Sequence, residues 1–71
     1  MTTEEIKRLA DARPFQPFLI RVADNGDPLK VPTADHISIG KGPIIVVWFD
    51  DGTGSFVDSR LITRLETAIT W

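Results

Sequence analysis

Ile44-Ile45-Val46-Val47-Trp48-Phe49 is the longest apolar run in the chain. Its residues are β-branched or aromatic, the types that fit a pleated strand. Successive strand side chains point to opposite faces. A strand apolar at every position is therefore apolar on both faces, and is expected at the centre of a sheet with cover on each side. One cover is the interior of the body. The other is the helix described next, or a second subunit. The run is too short to span a bilayer, which takes about 20 residues in a helix.

The elements around this strand follow from local signals. Thr2 and Glu5 have capping-box spacing, and Glu4 and Glu5 sit where a helix dipole favours negative charge. Ile6, Leu9, Ala10 and Arg13 fall at helical spacing until Pro14 stops the helix. The expectation is a helix over 3–12 with a narrow apolar stripe. So short a helix needs a surface to lie on, such as the edge or open end of a sheet. Phe15 and Phe18, in a segment stiffened by Pro14 and Pro17, are suited to pin it there.

Strand-like alternation runs through Phe18, Ile20 and Val22. Asn25-Gly26 then signals a tight hairpin, with Leu29 and Val31 on the return strand and Pro32 at its end. A bend at 33–36 precedes Ile37 and Ile39, and Gly40 to Pro43 is a turn. After the apolar run come a hairpin loop at 50–54, a short strand through Phe56 and Val57, a tight turn at 58–61 and a final strand from Ile62 to Leu65. The fold class is mainly β within α+β. It is a single domain over 1–71: an N-terminal helix, then a strand-rich body from 17 with about five antiparallel strands. That order suggests a small SH3-like or Sm-like bent sheet or barrel.

A chain of 71 residues buries only about 60% of its unfolded surface, so its stability is marginal without a supplement. With no cysteine, disulfides and thiolate metal sites are excluded. A single histidine, His36, excludes a histidine-rich metal site within one chain. Oligomerisation and an unusually well-packed monomer remain as the two routes. No cofactor is expected. The first residues carry neither a basic nor an apolar leader region, so the expectation is a cytoplasmic protein with no membrane partner. The net charge of −2 argues against generic nucleic-acid binding, where a basic excess supplies most of the affinity.

Two resemblances rest on particular residues. Arg13-Pro14-Phe15-x-Pro17-Phe18, then Val46-Val47-Trp48-Phe49-Asp50-Asp51-Gly52, then Asp58 and Ile62-Thr63-Arg64-Leu65-Glu66 resemble a group of small bacterial proteins without assigned function. The order of helix and strands, ending in a tight turn and Leu61-Ile62-Thr63, is similar to the Sm-like fold, including the Hfq-type RNA chaperones. Hfq-type chains carry tyrosine, lysine and histidine before the last strand. Here Asp58, Ser59 and Arg60 hold those places, so only Arg60 carries the implied RNA contact.

Several motifs invite chemistry. Asp50-Asp51-Gly52-Thr53-Gly54 lacks the contiguous Asp-Thr-Gly of aspartyl proteases and the ligand spacing of an EF-hand, and reads as a turn. Gly40-Lys41-Gly42 ends at Pro43 without the helix of a phosphate loop. His36 beside Asp35 is a poor acid–base pair, because strand neighbours point to opposite faces. An enzyme would need a pocket holding His36 and a carboxylate within hydrogen-bond reach. The sequence points instead to a non-enzymatic interaction module that forms a homo-oligomer or binds a protein. Trp48, Trp71 and Phe15 are the candidate interface residues. The alternative is Sm-like RNA binding through Arg60, Arg64 and Lys41.

Overall fold

Helix α1 (Thr3–Asp11) is followed by β1 (Phe18–Val22), β2 (Leu29–Val31), a 3-10 turn (Ala34–His36), β3 (Ile37–Ile39), β4 (Ile44–Trp48), β5 (Gly54–Asp58), a second 3-10 turn (Ser59–Leu61) and β6 (Ile62–Thr67) in a computed structural model. The structure describes residues 2–24 and 26–67. Trp71 therefore lies outside the described residues.

The strands form two three-stranded antiparallel sheets, ordered β2-β1-β6 and β3-β4-β5. There are six strands, not five, because the 33–36 bend is a 3-10 turn that divides one extended stretch into β2 and β3, which pair in different sheets. Among the described residues no closed barrel is formed. The Asn25-Gly26 signal does not give a two-residue hairpin either. Residues 23–28 connect β1 to β2, and Asn25 itself is outside the described residues.

The two central strands, β1 and β4, supply much of the core. Phe18, Ile20, Ile45 and Val47 are fully buried, together with Ile6 of α1 and Val31 of β2. The helix follows its expected stripe, with Ile6 and Ala10 buried and Leu9 packed beside them. Its capping box does not form: Thr2 is extended but makes no side-chain bond to the helix. Thr2 is exposed, so water competes for that bond. The other end is closed by Arg13, whose guanidinium donates to the carbonyls of Ala10 and Ala12 at 3.2 and 2.7 Å. Arg13-Pro14 is a cis peptide. Phe15 is half-buried against the core, its ring centroid 6.0 Å from that of Phe18.

The helix reaches the second sheet at its β3 edge. That placement corrects one expectation about the apolar run. β4 is central in its sheet, but it is covered on one side only. Ile45 and Val47 face the core, while Ile44 and Trp48 are exposed and Val46 half-exposed. The helix lies beside β3 and leaves the outer face of β4 open.

Candidate functional site

The outer face of β4 and β5 is built by cross-strand pairing. Val46 pairs with Phe56, Trp48 with Gly54 and Ile44 with Asp58. Side chains opposite one another share a face. Ile44, Val46, Trp48 and Phe56 therefore form one apolar surface, and Phe56 is 76% exposed. Soluble monomers rarely keep such clustered aromatic and branched residues in water without a use for them.

Trp48 is held in a defined pose. Its indole N–H donates to Ser38 Oγ on β3 at 3.0 Å. Its ring lies over Gly54, where an added Cβ would stand 2.9 Å from the ring and 3.3 Å from the Val47 carbonyl oxygen. Real Cβ atoms do not approach that closely, so Gly54 is the platform on which the indole rests. The expected result of Gly54→Ala is a displaced indole and a broken Ser38 bond. In a Trp71→Phe background this reads as a red shift of Trp48 emission. Unchanged emission would show that the ring does not rest on Gly54.

The hairpin loop after β4 is a turn, as its composition implies, and Gly52 takes a positive φ of 91° there. Its acids are engaged within the chain. Asp51 Oδ1 accepts from the Thr53 amide and hydroxyl at 2.9 and 2.6 Å. The hydroxyl bond, with the amide bond, holds the Asp51 carboxyl below its ordinary pKa. Asp50 reaches His36: Nε2 lies 2.7 Å from Asp50 Oδ1, while Nδ1 lies 2.7 Å from Thr33 Oγ1. The imidazole bridges the Asp50 carboxyl and the Thr33 hydroxyl. The carboxylate partner of His36 is thus Asp50 and not its neighbour Asp35.

Lys30, Pro32, Trp48 and Phe49 join His36 and Asp50 around a cleft of about 280 Å³. The pocket that an enzyme reading requires is therefore present. It joins side chains from both sheets, a grouping that sequence spacing gave no means to find. Asp50 is 92% exposed, so water screens the pair strongly. Among the described residues no group of three or more metal-ligating side chains forms.

The three basic candidates lie on three different segments. Arg60 donates to Asp58 through Nε and Nη2, with the shortest contact 2.6 Å. Arg64 lies opposite Arg21 across β1 and β6, and both meet Glu66, Arg64 at 3.3 Å and Arg21 in a closer ion pair. Lys41 sits in the exposed turn between β3 and β4. The Arg21 hydrogen bond is the main cause of a lowered Glu66 pKa.

Asp58 shows the largest carboxylate effect. The Arg60 side-chain bond, then the Arg60 amide, lower its pKa from 3.8 to about 2. A pKa depressed on folding contributes stability above the unfolded value and loses it as pH falls through the folded value. Stability is thus expected to drop from about pH 4 toward pH 2, in part through Asp58. Denaturant unfolding of wild type and Asp58→Asn across that range tests this. The variant is expected to show a shallower fall, and parallel curves would show that Asp58 is not linked to folding.

Comparison with protein-family models, curated proteins and solved structures finds no match. Among the described residues no helix is long and apolar enough to cross a membrane.

Proposed function

We propose that this chain is a small non-enzymatic interaction module that self-associates through the outer face of β4 and β5. The carrying observation is the uncovered surface of Ile44, Val46, Trp48 and Phe56 on the sheet's central and edge strands. Size supports the same reading, because a domain this small gains much from burying further apolar area between copies. The Trp48 pose adds to it. An aromatic fixed by Ser38 and Gly54 loses little side-chain freedom on docking, which favours tight association.

The Thr33–His36–Asp50 cluster is assigned a structural role. It ties the 3-10 turn before β3 to the loop after β4. Lys30 lines the same cleft, but Asp50 is almost wholly in water, which screens the pair that catalysis would depend on. Sm-like RNA binding is placed second. Arg60 and Arg64 are each engaged by a carboxylate, which offsets the charge that phosphate contacts require.

Sedimentation velocity tests the proposal directly. The 7.9 kDa chain is expected to sediment as an oligomer at tens of micromolar, with dissociation on dilution. A strict monomer at high concentration overturns it.

A further inference from the structure

The open edge of β5 lines a groove that shares only Phe56 with the self-association face. Among the described residues β5 pairs only with β4. The hydrogen-bond phase of that pair is fixed at both ends, where the Phe49 amide donates to Thr53 and the Ser59 amide to Pro43, each at 2.8 Å. In an antiparallel ladder, bonded and non-bonded pairs alternate. Ser55 and Val57 therefore bond to β4, and Gly54, Phe56 and Asp58 direct their amides and carbonyls away from it, to the open edge.

Beside that edge runs a groove of about 190 Å³, bounded across from β5 by Val22, Asp24, Gly26, Asp27 and Leu29. Its walls include Phe56, Val57 and Leu61. Its rim carries Asp24, Asp27 and Asp58, and among the described residues no cationic side chain lines it. Asp58 is occupied by Arg60, so Asp24 and Asp27 set the charge.

We infer that this groove binds an extended peptide segment of alternating apolar and basic residues, which adds to β5 as a further strand. The three outward residues supply main-chain donors and acceptors, the mode by which strand addition gives affinity. Period-two alternation sends one set of peptide side chains to Val22, Leu29 and Val57 and the other toward the acidic rim. Charge complementarity selects basic residues in that second set. This goes beyond self-association, which uses the outer face of the same sheet and meets the groove only at Phe56.

The test uses the full chain and an end-blocked ten-residue peptide of alternating valine and lysine, with a valine–glutamate peptide as control, at low salt. Amide spectra should shift at Gly54, Phe56 and Asp58, whose amides become protected from hydrogen exchange, and the control should do neither. Asp24→Asn with Asp27→Asn should weaken binding about fivefold, as two exposed charge pairs imply. Both substitutions are on exposed residues away from the core, and an unchanged thermal midpoint verifies that the fold is kept. No binding at millimolar peptide, equal binding of the control, shifts centred elsewhere, or undiminished binding by the double variant overturns the inference. Sedimentation without peptide is scored separately, so a monomer that binds the peptide removes self-association alone.

Discussion

Phe18→Ala is expected to leave much of the protein unfolded in physiological buffer. Phe18 is fully buried and has the largest volume among the fully buried side chains. It lies on the central strand of its sheet, opposite Val31 on one side and Thr67 on the other. Truncating a buried phenylalanine costs about 3–5 kcal/mol, from lost transfer energy and the cavity left behind. A chain of this length has roughly 4–10 kcal/mol in total. The loss is thus a large share of the whole. Phe15, half-buried against Phe18, would also lose a packing partner. Urea unfolding followed by far-UV circular dichroism should show a collapsed midpoint or no transition. Phe56→Ala is the matched control. Phe56 is mostly in water, so its truncation should move stability by no more than about 0.5 kcal/mol in dilute monomer. Equal effects at the two sites would mean that the core is not where the structure puts it.

The contrast between the two phenylalanines marks where sequence reading stops. Local signals located most elements well. Pro14 ends α1, Pro32 follows the last residue of β2, and the Asp58-Ser59-Arg60-Leu61 turn appears between β5 and β6. Such features depend on residues a few positions apart, where backbone chemistry decides. The assignment of strands to sheets depends on distant pairing. β1 meets β6 across the length of the body, and nothing in either strand's alternation names the other. The same limit explains why Ile44–Phe49 read as covered on both sides. Periodicity reports that a face is apolar, and it cannot report that α1 settles at the β3 edge instead. The partners of His36 were hidden in this way too. Asp35 is its neighbour in sequence, but the β3–β4 hairpin delivers Asp50. Gly54 gave a turn signal, and its second role under the Trp48 ring needed the register of β4 and β5.

Charge placed on the open face of β4 and β5 should abolish self-association while sparing the fold. Trp48→Glu and Phe56→Glu each put a carboxylate where docking would remove water. A buried unpaired charge costs several kcal/mol, and loss of an aromatic anchor at an interface costs about 2 kcal/mol or more. Together these costs come to about 4 kcal/mol or more, so each variant should weaken association about 1,000-fold, which moves a micromolar equilibrium to the millimolar range. Within one chain the Phe56 change is mild, because Phe56 is mostly exposed already, whereas Trp48→Glu also removes the Ser38 bond and the ring's contact with Gly54 and should lower the melting midpoint. Lys41→Glu, in the exposed turn beyond the face, alters charge by as much as either aromatic substitution introduces or more, and should leave the sedimentation coefficient unchanged. A monomer produced by Lys41→Glu alone would assign the effect to net charge. Oligomers that persist in both aromatic variants would move the interface off this face. Dissociation by Trp48→Glu and Phe56→Glu, with the Phe56→Glu melting midpoint near that of the dilute wild-type protein, is the pattern that the cross-strand pairing of Val46 with Phe56 and Trp48 with Gly54 requires.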